Sequence, residues 1–264
     1  MAAASPADPG ASGGHGITGL ADAGAFLARL TRLDPAAVVR LRSVGPGRTE
    51  LWARLPWSVL VQRTVAGPGP GDVTVAAGDL LARLAGADGV LPSRRDDAWR
   101  WPVPSGTVRT VETVPADEVR RVAAAAAGTL RAAQRDGVGG RAVGARALRD
   151  ALLDHVAIVV TGDDAPTLRV EVRQSLVQAV VRMSFLGAKV GPARHRQPVG
   201  SWHLAGRREP GSGPVSGGPT DGGTSVVRVR TVGNWVGLDA PYGVAWTQRV
   251  NNLTLAPIAN QSNG

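Results

Sequence analysis

Apolar residues first recur at helical spacing between Gly19 and Leu33, where Leu20, Ala23, Leu27 and Leu30 fall on one stripe. Thr18 stands where a cap belongs and Asp34-Pro35 where the helix must stop. Gly24 inside this stripe costs the helix about 1 kcal/mol against alanine. The period then changes to two. Val39, Leu41 and Ser43 alternate with Arg40, Arg42 and Val44 before Gly45-Pro46-Gly47 turns the chain, which predicts a strand. Return strands follow over Thr49–Arg54 and Ser58–Val65, with Pro56 bending the chain between them.

Gly67-Pro-Gly-Pro-Gly71 is a break, followed by a short strand at Val73–Val75 and a short helix at Asp79–Ala85. Residues 86–106 read as loop and carry Arg94-Arg95-Asp96-Asp97 with Trp99 and Trp101. A strand over Thr107–Val114 leads through Pro115 into a helix reaching Arg135, acidic in its first turn and basic in its last, as the macrodipole favours. After Gly137–Gly144 the pattern predicts a helix (Ala145–Asp154), a strand (His155–Val160), a long helix (Glu171–Leu186) closed by Gly187, and a strand near Val199–Leu204. Residues 206–224 are low in complexity and read as a flexible loop. Three strands close the chain, near Ser225–Val232, Gly243–Arg249 and Leu253–Ala256.

The most specific feature is a repeat. Val38-Val-Arg-Leu-Arg-Ser-Val-Gly45 returns as Val226-Val-Arg-Val-Arg-Thr-Val-Gly233, and the match continues through Trp52/Trp235, Pro56-Trp57-Ser58-Val59/Pro241-Tyr242-Gly243-Val244 and Gln62-Arg63/Gln248-Arg249. A lone β-meander cannot cover its own apolar face, so two copies are expected to pack together with their tryptophans inside. The expected fold is therefore α+β, in two similar halves of antiparallel strands and helices joined by a duplicated Trp-containing β-meander. The expected boundaries are a disordered lead-in (1–16), an N-terminal half (17–136), a Gly-rich hinge (137–144) and a C-terminal half (145–264).

Composition narrows the chemistry. The 264 residues include 35 Gly and 19 Pro but no Cys, which excludes disulfides, thiolate metal sites and a cysteine nucleophile. Of 30 basic residues only Lys189 is lysine, an arginine bias that matches a GC-rich genome. The net charge of +9 is concentrated: Arg182, Lys189, Arg194, Arg196, Arg207, Arg208, Arg228 and Arg230 face only Glu209 and Asp221 over 182–230. Guanidinium forks suit phosphate and carboxylate oxygens, so Arg182, Arg194, Arg196, Arg207, Arg208, Arg228 and Arg230 are the expected contacts for an anionic partner, an acidic protein or nucleic acid.

Signals for a reaction are missing. His15, His155, His195 and His203 show no metal-ligand spacing, so no metal is expected, and no Gly-x-Ser-x-Gly elbow joins a strand to a helix. The glycines at 137–144 follow a helix rather than a strand, which makes them linker rather than a phosphate loop, and no cofactor is expected. Trp99 and Trp101, beside Arg94, Arg95 and Arg100, are the expected exposed aromatic pair. No stretch reaches the length of a membrane span and the N-terminus lacks a secretory pattern, so a cytoplasmic protein is expected.

Overall composition, with the phrases Leu148-Arg-Asp-Ala-Leu-Leu-Asp154, Trp235-Val-Gly-Leu238 and Pro241-Tyr-Gly243, resembles uncharacterised proteins of GC-rich actinobacteria. The resemblance implies no active site. The reading is a non-enzymatic binding or scaffolding protein with a basic contact region. One alternative is a weak nucleic-acid binder with a winged-helix-like C-terminal half, in which Gln174, Gln178 and Arg182 line a recognition helix. A second is an enzyme that brings together Asp96, Asp97, His155, Asp163, Asp164, His195 or His203 only on folding.

Overall fold

A computed structural model describes residues 13–86, 88–139, 141–162, 165–187 and 225–249. Helix α1 (Leu20–Leu33) buries Ala23, Phe26, Leu27 and Leu30, and the Asp34 N–H closes it on the Leu30 carbonyl. Strands β1 (Val38–Ser43), β2 (Arg48–Arg54) and β3 (Leu60–Ala66) form a meander, with β4 (Asp72–Ala76) returning beside β1 before α2 (Ala77–Gly86). The second half begins with β5 (Arg109–Pro115) and α3 (Ala116–Asp136). It continues through α4 (Ala145–Asp154), β6 (Val156–Gly162), β7 (Ala165–Arg173) and α5 (Gln174–Arg182), then closes with β8 (Val226–Val232), β9 (Trp235–Ala240) and β10 (Gly243–Gln248).

All strands but β6 and β7 join one antiparallel sheet in the order β4-β1-β2-β3-β10-β9-β8-β5. The fold is α+β with two similar halves. The repeated segments β1–β3 and β8–β10 are both three-stranded meanders, and they meet where Val61 of β3 pairs with Ala245 of β10. The Gly-rich segment 137–144 falls between α3 and α4, while β5, which precedes it, pairs with β8 of the second meander.

Period-two alternation assigns the two faces of the sheet. Val39, Leu41, Leu51, Val61, Val227, Val229, Leu238 and Ala245 point to one side and form the main core with α1, α2, α3 and α5. Phe26 of α1 stacks on Phe185, just past α5, with centroids 6.3 Å apart and planes 5° from parallel. Arg40, Trp52, Gln62, Trp246, Asp239 and Arg228 point to the opposite face. There each arginine ladder of the repeat meets a carboxylate on the next strand: Arg40 with Asp72 at 2.6 Å, and Arg230 with Asp239 at 2.8 Å.

Two expectations change. The long helix expected over Glu171–Leu186 begins only at Gln174, because Val170 and Val172 alternate with Arg169, Glu171 and Arg173 and pair with β6. Residues 13–16 of the lead-in expected to be disordered are held in the fold. Leu91 donates its N–H to the Gly13 carbonyl, the His15 N–H meets Gly89, and the His15 ring is buried. The strands near Val199–Leu204 and Leu253–Ala256 and the loop 206–224 lie outside the described residues. Among the described residues no helix is long and apolar enough to cross a membrane.

His15 Nδ1 accepts the Ile17 N–H at 3.1 Å, so the ring must be neutral at that nitrogen. Burial holds its pKa below the ordinary value of 6.5, with Asp88 opposing. A base held neutral in the fold binds fewer protons than it does in the unfolded chain. Its contribution is therefore complete above that ordinary value and is lost as pH falls through the lowered one. The melting temperature should drop between about pH 7.5 and about pH 5, and His15→Gln should flatten this step. An equal drop in the variant would remove the imidazole from the account.

Two glycines should respond in opposite directions. Gly24 of α1 has open space where a Cβ would stand, so Gly24→Ala should raise stability by about 0.5–1 kcal/mol. At Gly243, with φ +153°, a Cβ would lie 2.6 Å from the Phe185 ring and 2.8 Å from the Gln62 carbonyl. Gly243→Ala should therefore cost about 2–3 kcal/mol. Urea unfolding midpoints measure both, and a wild-type midpoint for Gly243→Ala would contradict this packing.

Candidate functional site

The outer face of the sheet is covered by a strap, residues 94–108, running from the β4 edge to β5 at the opposite edge. Its start is pinned by the Arg95 N–H on the Thr74 carbonyl and the Thr74 N–H on Asp96 Oδ1. Trp99 and Trp101, expected to be exposed, instead lie on the sheet, their rings edge to face at 5.3 Å. With Trp52, Leu60, Val232, Trp235, Val244 and Trp246 they make a second, smaller core. Arg40 stacks over Trp99 at 5.7 Å and Arg54 over Trp101 at 5.1 Å, covering the indoles with cations.

Beside this second core opens a cleft of about 460 Å³. One wall is the corner between β2 and β3, with Arg54, Trp57 and Ser58; another is α4, with Asp150, Leu153 and Asp154. Trp101 of the strap, Arg173, and Trp235 and Gln248 of β9 and β10 complete it. The corner is a type I turn followed by a left-handed residue: the Ser58 N–H donates to the Leu55 carbonyl and the Leu55 N–H to the Val59 carbonyl. The left-handed place falls on Ser58, at φ +66°, where glycine is the residue of least strain. In the second repeat the matching position is Gly243. The serine hydroxyl accepts a hydrogen bond from Arg54 Nη2 at 2.6 Å, so the strained residue holds the guanidinium. Trp57 Nε1 donates to the Ser175 carbonyl at 3.1 Å, tying the corner to α5.

The ion pairs around the cleft are unequal. Arg173 reaches Asp154 at 3.2 Å and Arg146 reaches Asp150 at 3.8 Å, both near solvent and therefore weak. No carboxylate among the described residues lies within ion-pair distance of Arg54. Its partners are a hydroxyl and an indole face.

The arginines singled out by sequence are placed elsewhere. Arg182 is exposed at the end of α5, while Arg228 and Arg230 lie on the outer face of β8 against Asp239. Burial pushes the Asp239 carboxyl above its ordinary value, with Arg230 and Arg228 opposing. Arg194, Arg196, Arg207 and Arg208 lie outside the described residues. Helix α5 does not present its polar stripe as a recognition helix would: Gln174 is 2% exposed, and β8–β10 belong to the large sheet. Among the described acids and histidine of the enzyme reading, Asp96 is engaged by Thr74 and Arg94, and His155 caps α4. No group of three His, Asp or Glu side chains among the described residues is placed to hold a metal ion. Sequence reasoning passed over Arg54, Trp57, Arg173 and the α4 acids. The one local signal was Ser58 standing where the other repeat has glycine.

Comparison with known proteins places the strap at a boundary. Residues 17–101 match the model described as Domain of unknown function (DUF8010), and residues 103–252 match Domain of unknown function (DUF8185), so the division falls next to Trp101. No curated protein matches the chain. Among solved structures it is similar to the crystal structure of the DNA polymerase III subunit beta from Pseudomonas aeruginosa, at 11% identity and a TM-score of 0.45. That similarity covers 88% of this chain and 63% of that one, so the chain spans less than two thirds of the other's length. The match over 103–252 takes in more than half of the sequence, and the chain belongs to the DUF8185 family.

Proposed function

We propose that the protein is a binding or scaffolding module that takes an anionic partner, with the contact centred on Arg54 and the cleft below it. The observation that carries this reading is the state of that guanidinium. It is oriented by Ser58, stacked on Trp101, and matched by no carboxylate among the described residues. A cation held on an aromatic face keeps donors available for a carboxylate or phosphate, and its orientation is set before the partner arrives. Arg228 and Arg230, by contrast, already share Asp239. Arg182, exposed at the end of α5, and the net positive charge that the sequence carries over 182–230 add to the attraction for such a partner.

Elution from immobilised heparin separates this site from general basicity. Arg54→Ser should elute at lower salt than Arg131→Ser, an equal change of charge on the exposed flank of α3, and both should keep the wild-type urea midpoint. Equal shifts would reduce the effect to net charge and overturn the role of the cleft. No retention of the wild-type protein at low salt would overturn the anionic partner itself.

A further inference from the structure

We infer that the cleft takes a nucleoside phosphate, as a free nucleotide or as one unit of a single strand, an assignment that rests on the anion-binding reading above. Three partly exposed indoles, Trp57, Trp101 and Trp235, line the cleft. An inorganic anion gains nothing from indole faces, whereas a flat ring stacks on Trp57 or Trp235 whatever its sequence identity, beside the Trp101 face that Arg54 already covers. The rings are held in place: Trp57 by its bond to Ser175, Trp101 beneath Arg54, and Trp235 by packing against the second core.

The α4 wall carries the opposite polarity. Asp150 and Asp154 are exposed carboxylates, whose oxygens accept hydrogen bonds. Asp154 is paired with Arg173 at 3.2 Å and Asp150 with Arg146 at 3.8 Å, and the remaining carboxylate lone pairs favour a donor-rich group, such as ribose hydroxyls or an exocyclic amine. Gln248, Thr247 and Ser58 add neutral donors and acceptors. The ligand that fits has an anionic end at Arg54, a flat middle among the indoles and hydroxyl or amino donors toward α4. A cleft of about 460 Å³ lies within the range of small-molecule sites, about 300–1,000 Å³, and suits one nucleotide rather than a duplex.

Titration of the 264-residue protein, followed by its indole N–H resonances, tests this. The probes are AMP, adenosine, inorganic phosphate, a short single-stranded oligodeoxyadenylate and an oligoglutamate peptide. AMP should shift Trp57, Trp101 and Trp235, leave the buried Trp52 and Trp246 in place, and bind about tenfold more tightly than adenosine or phosphate alone. Arg54→Ser should bring AMP down to the affinity of adenosine. Tighter binding of the oligonucleotide would identify the source as a strand, and tighter binding of AMP a free nucleotide. If AMP binds no better than phosphate, or if oligoglutamate displaces it, the nucleoside assignment is overturned while the anion site stands. If no probe moves the three indoles, this inference fails, and heparin elution of Arg54→Ser still decides the anion reading separately.

Discussion

Three residue pairs join the two meanders, Leu60, Val61 and Gln62 of β3 against Trp246, Ala245 and Val244 of β10. Residues almost two hundred positions apart in sequence must meet in register there, and a slip of one would exchange the two faces. Val61 and Ala245 belong to the helix-side core, whereas Leu60 and Trp246 belong to the strap-side core. The same junction is braced on the helix side. Arg63 of β3 donates to the Tyr242 carbonyl at 2.8 Å, pairs with Asp22 of α1 at 2.6 Å, and lies over the Tyr242 ring. The Tyr242 N–H meets the Phe185 carbonyl, and Phe185 stacks on Phe26. One seam thus couples α1, the end of α5 and both repeats.

The strap follows from what this seam produces. An eight-stranded sheet with helices on one side leaves an apolar strip at the middle of its other face, where Leu60, Trp52 and Trp246 come together. Trp246 lies across Gly237, where an added Cβ would come within 2.5 Å of the ring. Trp99 and Trp101 cover this strip, and Arg40 and Arg54 shield the covering indoles in turn. Arg40 is also held by Asp72, which its hydrogen bond keeps below the ordinary carboxylate range. Arg54, at the margin, has Ser58 and the Trp101 face beside it and no carboxylate among the described residues. The two arginines differ because the strap's coverage ends at the cleft.

Much of the fold was legible locally. Helical stripes located α1, α2, α3 and α4, alternation located β1–β4 and β8, and the repeat identified two related meanders. The failures have physical causes. The expected helix takes in Glu171–Arg173, although a period of two runs from Arg169 to Arg173. The tryptophans of the strap read as exposed because nothing in a loop sequence shows that it lies on a sheet face built from residues far away. His15 reads as part of the lead-in because a single bonded ring leaves no periodic trace.

By itself the sequence determined the element types, the duplicated meander, the absence of thiol chemistry and the excess of arginine, since each is set by composition or by spacing along the chain. The tertiary structure alone decided which arginines meet carboxylates. Arg40, Arg228 and Arg230 find acids across neighbouring strands, and Arg54 finds an indole and a hydroxyl. Ion pairing depends on strand order and register, which are settled by burying both faces of the sheet at once and are written in no local window.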